Sequence, residues 1–379
     1  MNPLLERLKP YPFEKLRALI GEMRGEVSGG RPAGINLSIG EPKHPTPRLV
    51  KEALAGALDG LATYPLTAGT PELRAAISRW LARRYGIPAP DPETQVLPVN
   101  GSREALFSFA QAVLDPSGGR ARVVCPNPFY QIYEGAALLA GATPAYGAPE
   151  SWDGVQLVYA CSPANPSGKV MQLDDWKRLF ELSDRHGFVI ASDECYSEIY
   201  FEQPPLGALQ AAHRFGRVEY PRLVVFSSLS KRSNAPGLRS GFVAGDAALL
   251  RQFRLYRTYH GSAMSLAVQK ASLAAWNDEE HVRENRRLYA EKFNAVLPLL
   301  KAERPDGGFY IWLRTPIDDT EFVRRLHDEY NVLVLPGSFL GREVHGKNPG
   351  ADHVRIALVA PLNDCVEAAG RIARFAGKL

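Results

Sequence analysis

The sequence predicts an α/β fold: a large domain with a mostly parallel mixed sheet between helices, plus a smaller α+β domain. Three observations predict it. Short apolar runs alternate with amphipathic helical patterns along most of the chain. Those runs are nearly unbroken rather than alternating, as strands covered on both faces of a parallel sheet are. After about residue 275 the texture changes to longer charged helical patterns between shorter strands.

Taken in order, Thr70-Pro71-Glu72 reads as a helix start, with a capping hydroxyl, a proline in the first turn and an acid near the positive helix end. Leu73, Ile77, Trp80 and Leu81 continue the pattern and Gly86 stops it. Strands are predicted over Arg122–Cys125, Gln156–Cys161, Phe188–Ser192 and Leu223–Phe226. A helix over Leu173–His186 opens with Asp174 and Asp175 and closes at Gly187. Repeated strand–helix units of this kind specify α/β. Beyond them, a helix is expected from Asp278 to about Leu300, a strand over Phe309–Leu313 and a helix near Thr320–Tyr330. Strands near Val332–Leu335 and Val354–Leu358 and a final helix follow. The expected division is an N-terminal arm over 1–44 that joins the small domain, a large domain over 45–275 and a small domain over 276–379.

Composition narrows the function. The 379 residues carry 45 Lys+Arg and 41 Asp+Glu, a net charge of +4 with no basic stripe, which argues against a nucleic-acid partner. The four cysteines form no C-x-x-C, so neither a zinc site nor a disulfide framework is expected, and a reducing cytoplasm fits. No apolar stretch reaches the roughly 18 residues of a membrane span, and the first residues do not read as a signal peptide.

Three segments carry chemistry. Phe226–Phe242 follows an apolar strand and concentrates serines, glycines, Lys231 and Arg239 in one loop. Hydroxyls and a guanidinium suit a phosphate, and a lysine among them is a potential covalent handle. Ile190–Tyr196 places Asp193 at the end of a buried strand, where open α/β sheets bind ligands. Tyr159–Gly168 breaks another strand end into a turn with two X-Pro bonds that hold Asn165 in a fixed pose. Taken singly, each also reads as a plain turn or a helix cap. Nucleotide-binding alternatives fail: Gly168-Lys169 is followed by Val170, which breaks the P-loop pattern, and the serine of Gly237–Gly241 is misplaced for a nucleophile elbow.

Together, Asn165, Asp193-x-x-Tyr196 and Ser228-x-x-Lys231 followed by Arg239 resemble the fold-type I, pyridoxal-5′-phosphate-dependent class I/II aminotransferases. The similarity runs from Leu37-Ser-Ile-Gly-Glu-Pro42 to His353-Val-Arg-Ile-Ala-Leu358. The resemblance implies a pyridoxal 5′-phosphate cofactor, a homodimer with shared active sites, small-molecule amino-acid and keto-acid substrates, and no metal. Lys231 resembles the lysine that holds the cofactor covalently and shuttles the substrate Cα proton. Asp193 is similar to the partner of the cofactor ring nitrogen, and Asn165 and Tyr196 to the donors to its phenolic oxygen. Ser228 and Arg239 resemble the phosphate cup, completed by the backbone amides of Ser102 and Arg103. The family is usually small at Arg103, so only its backbone is assigned. Tyr130 resembles the aromatic that stacks on the ring, with Phe129 as its near neighbour. Arg355 is similar to the arginine that grips the substrate α-carboxylate, with Asn165 and Gly40 beside it. Tyr64 resembles the tyrosine that reaches the phosphate of the neighbouring subunit.

Within the family, Cys161–Lys169 and Phe226–Asn234 are most similar to bacterial succinyldiaminopimelate transaminases. That similarity implies glutamate as donor and N-succinyl-2-amino-6-oxopimelate as acceptor, in lysine and diaminopimelate biosynthesis. An aspartate, aromatic or broad-specificity aminotransferase and a carbon–sulfur β-lyase stay open. The acceptor's additional carboxylates call for positive or polar groups beyond Arg355, for which Lys43 and His44, and Arg257, Tyr259 and His260 in a loop expected to face the dimer partner, are candidates. The Gly307–Trp312 run is expected along the substrate side.

Overall fold

Twelve strands appear among the residues described, 1–21 and 32–379, of the computed structural model. They are β1 (Ile35–Asn36), β2 (Val96–Val99), β3 (Arg122–Cys125), β4 (Thr143–Tyr146), β5 (Val155–Cys161), β6 (Val189–Asp193), β7 (Leu223–Ser228), β8 (Gly241–Gly245), β9 (Tyr310–Arg314), β10 (Val332–Leu333), β11 (Leu335–Pro336) and β12 (His353–Ala357). Seven of them form one sheet in the order β2-β8-β7-β6-β5-β3-β4. Only β8 runs against its neighbours, so the sheet is mixed but mostly parallel, as the sequence predicts.

The unbroken apolar runs are explained by two cores. Val124, Val158, Ala160, Ile190, Val225 and Ala244 face one layer of helices. Their alternate neighbours Val123, Leu157, Tyr159, Ala191, Val224 and Phe226 face the other. Helices of the first layer are cut to length by local chemistry. Thr70 accepts a hydrogen bond from the Leu73 amide, and Gly86 closes the helix Pro71–Tyr85 in the left-handed region. Gly187 does the same for Leu173–His186.

The remaining strands serve a second body of structure. β11, β12 and β9 make a small antiparallel sheet, and β1 pairs in parallel with β10. Leu16 and Leu37 from the N-terminal part bury themselves in the same core as Phe322, Val354 and Phe375. The part of the expected arm at 22–31 lies outside the described residues. One expectation is corrected: the run Val332–Leu335 is not one strand. It splits at Val334, so that β10 serves β1 and β11 serves β12. β1, β2, β4 and β8 were not foreseen, and both β2 and β4 include a proline (Pro98 and Pro144) that weakens a strand signal.

The register places the site. Cys161 pairs with Asp193 and Asp193 with Phe226, so three parallel strands end side by side. Their exits supply Asn165, Asp193 and Lys231.

Phe226 is fully buried and meets Phe109 edge to face at 5.4 Å. Replacing it with alanine is expected to cost about 3–5 kcal/mol, read as a lower urea midpoint with an unchanged slope.

Candidate active site

A cavity of about 580 Å³ opens at the strand ends and is lined by eleven of the twelve residues singled out from sequence. They are Gly40, Ser102, Arg103, Tyr130, Asn165, Asp193, Tyr196, Ser228, Lys231, Arg239 and Arg355. Tyr64 is the exception, being 98% exposed and outside the cavity of its own chain.

Asp193 sits on the cavity floor, with its carboxylate held by the Tyr133 hydroxyl at 2.7 Å and the Cys195 amide at 3.2 Å. Burial raises its pKa, and these hydrogen bonds act against that rise. A cation brought beside it would favour the charged form.

Lys231 stands on a single helical turn, Leu229–Arg232, directly after β7. Its ammonium donates to the Gly40 carbonyl at 2.5 Å and lies 5.3 Å from the Phe309 ring centroid. Burial lowers its pKa to about 8. The amine is therefore far closer to its nucleophilic form at neutral pH than an ordinary lysine at about 10.4.

One end of the cavity is built for an anion. The helix Ser102–Val113 begins at Gly101 with no side-chain cap, which leaves first-turn amides pointing outward. Ser228 and Ser230 face them, their hydroxyls 2.9 Å apart. Arg239 is held by the carbonyls of Pro236 and Asn100, both neutral, at 2.8 and 3.4 Å. A Cβ on Gly101 would lie 2.5 Å from the Arg239 guanidinium, and Gly101 has φ +85°, so the approach requires glycine.

Arg355 closes the opposite wall. Its two terminal nitrogens donate to Asn165 Oδ1 at 2.9 Å and to the Ser38 carbonyl at 2.8 Å, while its buried Nε has no partner. The guanidinium lies 4.3 Å from the Tyr310 ring centroid, and the Tyr310 hydroxyl meets that of Tyr196 at 3.0 Å. Gly40 is glycine for room: a Cβ there would collide with the Tyr310 hydroxyl.

Tyr130 lines the cavity, whereas Phe129 is fully buried against Tyr146. The Arg103 side chain, assigned no role from sequence, also enters the cavity. Its Nε donates to the Tyr130 hydroxyl at 2.7 Å, and an Nη reaches the Tyr11 hydroxyl at 3.4 Å.

None of the other five cationic and polar candidates lines the cavity of its own chain. Arg257 is fully buried and forms an ion pair with Glu104 at 2.9 Å. Lys43 pairs with Glu41, and His44 leans on Tyr289 and bonds Asn285. Tyr259 is 88% exposed, and His260 bonds Ser262. Within the Gly307–Trp312 run only Tyr310 reaches the cavity. Sequence reasoning missed Tyr133, Cys195, Ser230 and Tyr11. Cys195 carried a signal, lying two residues beyond Asp193; nothing local marked Tyr133 or Tyr11.

A buried acid, a lysine with a lowered pKa, an anion cradle and an aromatic ring in one cavity fit a phosphorylated pyridine aldehyde. The aminotransferase class I and II family model matches residues 32–372. The chain belongs to that family. Its members use pyridoxal phosphate, and the protein is an aminotransferase. An aminotransferase of Neisseria meningitidis is 53% identical, with a TM-score of 0.94 over 99% of this chain and 100% of that one. The LL-diaminopimelate aminotransferase of Aquifex aeolicus is 32% identical over 97% of both chains. A probable N-succinyldiaminopimelate aminotransferase of Thermus thermophilus is 28% identical, with a TM-score of 0.84 over 96% of this chain and 100% of that one. No helix among the described residues is long and apolar enough to cross a membrane.

In cofactor-free protein, an amine-reactive probe should label Lys231 with a pH midpoint near 8, because deprotonation through that value frees the amine. Peptide mapping across pH 6–11, taken as roughly the window between an ordinary histidine and lysine, checks it. A midpoint shared with the surface lysines would contradict the lowered value.

Proposed function

We propose that the protein transfers an amino group from glutamate to N-succinyl-2-amino-6-oxopimelate, a step toward diaminopimelate and lysine. The observation that carries this reading is that, besides Arg239 at the anion cradle, two further guanidiniums line the cavity, Arg355 and Arg103, each bonded only to neutral oxygens. Both substrates carry a carboxylate remote from the reacting carbon as well as the one beside it. Arg355 is placed for the nearer carboxylate and Arg103, tethered by two phenols, for the remote one. The names of the Aquifex and Thermus relatives support the substrate class. The Aquifex name also favours a second reading, in which unsuccinylated LL-diaminopimelate is the amino compound.

In this reading each residue has a physical task. Pyridoxal phosphate, when bound, supplies a carbonyl carbon for amines and a ring that accepts electron density. The Lys231 amine would hold it covalently and, once free, would carry the substrate Cα proton. Asp193, kept in place by Tyr133, favours a protonated ring nitrogen. Asn165 and Tyr196 donate to the ring's phenolic oxygen, and Tyr130 covers one ring face. Ser228, Arg239 and the amides of Ser102 and Arg103 take the phosphate. Arg355 would grip the substrate α-carboxylate and so fix the orientation of its Cα–H bond. The keto acceptor uses the same residues in reverse. We propose a cytoplasmic homodimer in which Tyr64 of each chain reaches the phosphate of its neighbour. Its exposure alongside Leu61, Leu66, Leu255 and Tyr259 supports that role.

Lys231→Ala should keep the fold and lose turnover by about three orders of magnitude or more, measured as 2-oxoglutarate release. Asp193→Ala should bind cofactor weakly and lose rate even when saturated. Arg103→Gln should raise the KM of the succinylated acceptor about 10- to 100-fold, the loss of one charge-assisted pair, while pyruvate as acceptor is little affected. Equal KM values for both acceptors in that variant would sink the role of Arg103. Assays with succinylated and unsuccinylated diaminopimelate decide between the two readings.

A further inference from the structure

Lys231 occupies a four-residue helix, Leu229–Arg232. One turn cannot hold itself, because nucleation fixes several dihedrals for one hydrogen bond. Its last carbonyls also need donors from elsewhere. The donor is Asn285, on the helix Glu280–Leu300 distant in sequence. Its amide nitrogen reaches the Lys231 carbonyl at 3.2 Å and the Arg232 carbonyl at 3.5 Å.

Asn285 is itself oriented from the other side. Its Oδ1 accepts from Asn234 Nδ2 at 3.0 Å and meets His44 Nδ1 at 3.0 Å, so the histidine carries its proton on Nδ1. Asn285 is buried, and His44 is wedged against the Tyr289 ring at 4.6 Å. His44 follows Gly40 by four residues, and Gly40 is the carbonyl that receives the Lys231 ammonium. A closed circuit results: Lys231 Nζ to Gly40, along the chain to His44, to Asn285, and back to the Lys231 carbonyl. Both ends of one side chain are held by one device.

We propose that Asn285, oriented by His44, is a positioning residue for Lys231 that fixes the lysine's reach into the cavity. The inference rests on the reading of Lys231 as the amine that captures the cofactor. Asn285 touches none of the charged or titratable groups that face that amine, namely Cys195, Arg355, Glu41, Arg103 and Asp193. Its influence is therefore geometric. Displacing a reacting group by about 1 Å costs on the order of 100-fold in rate.

The test uses Asn285→Asp, which keeps the shape but turns an acceptor toward the Lys231 carbonyl, and His44→Phe, which keeps the ring contact and removes the bond to Asn285. Both are compared with wild type and Lys231→Ala. The readouts are the rate at which cofactor-free protein covalently captures added pyridoxal phosphate, the kcat and KM of the loaded enzyme, and the melting temperature. The expected result is a fall of about tenfold or more in capture rate and kcat, with KM for glutamate within about threefold, in at least one variant whose melting temperature stays near wild type. Capture and kcat within twofold of wild type in every variant that folds would overturn it, as would a rate loss that appears only where the fold is lost. If Lys231→Ala loses capture while these variants keep it, only the positioning role falls. If Lys231→Ala still captures cofactor covalently, the reading of Lys231 falls.

Discussion

One buried guanidinium ties the molecule together. Arg355 stands on the short antiparallel sheet, yet its two terminal nitrogens end on Asn165 from the seven-stranded sheet and on the Ser38 carbonyl from the N-terminal part. Three stretches of chain more than a hundred residues apart therefore meet at one charge. Taking that charge out of water is unfavourable unless its hydrogens are used, and one of them, on Nε, is still without a partner. In return the arrangement holds a guanidinium at the wall of the cavity, where the proposed substrate carboxylate would meet it. The geometry of Gly40, Tyr310 and Tyr196 follows from it, since each packs against the same cation or against its ring neighbour.

The cavity is organised by where polarity can be concentrated in an α/β fold. Strand interiors are apolar on both faces, so the first place a polar side chain can reach the cavity is the last residue of a strand. Asp193 and Ser228 are such residues, and Asn165 and Lys231 follow within a few positions. The neighbouring ends lie in register, which turns four isolated sequence features into one wall. The opposite wall is contributed by Tyr310, Leu335 and Arg355 of the short antiparallel sheet and by Ile39–Glu41.

Much of this was legible in the sequence because the decisive signals are local. A capping threonine, a left-handed glycine and an apolar run ending in aspartate each act over a few residues, and the structure shows them in those places. What was not legible depends on distant partners. Arg257 was a candidate for a distal carboxylate from a loop facing a partner, and only the fold shows it on the helix Ala247–His260, buried against Glu104. Arg103 departs from a family pattern that is small at that position, and only its bonds to Tyr130 and Tyr11 give its side chain a place at the cavity. The split at Val334 has the same origin: one apolar run serves two different strands, a choice made by β1 and β12 rather than by the run itself. Tyr133 and Asn285 carry no local mark because each acts through a hydrogen bond to a residue far along the chain.

The pairing of Arg257 with Glu104 has an electrostatic consequence of its own. Glu104 lies in the first turn of the helix whose open amides form the anion cradle, and its carboxylate also accepts from the Asn100 amide at 2.8 Å. An uncompensated negative charge there would stabilise the helix by itself while repelling any anion arriving at the same terminus. With its guanidinium fully buried against that carboxylate, Arg257 cancels the repulsion at its source. The helix keeps its acidic first turn, and the field that reaches the cradle stays positive.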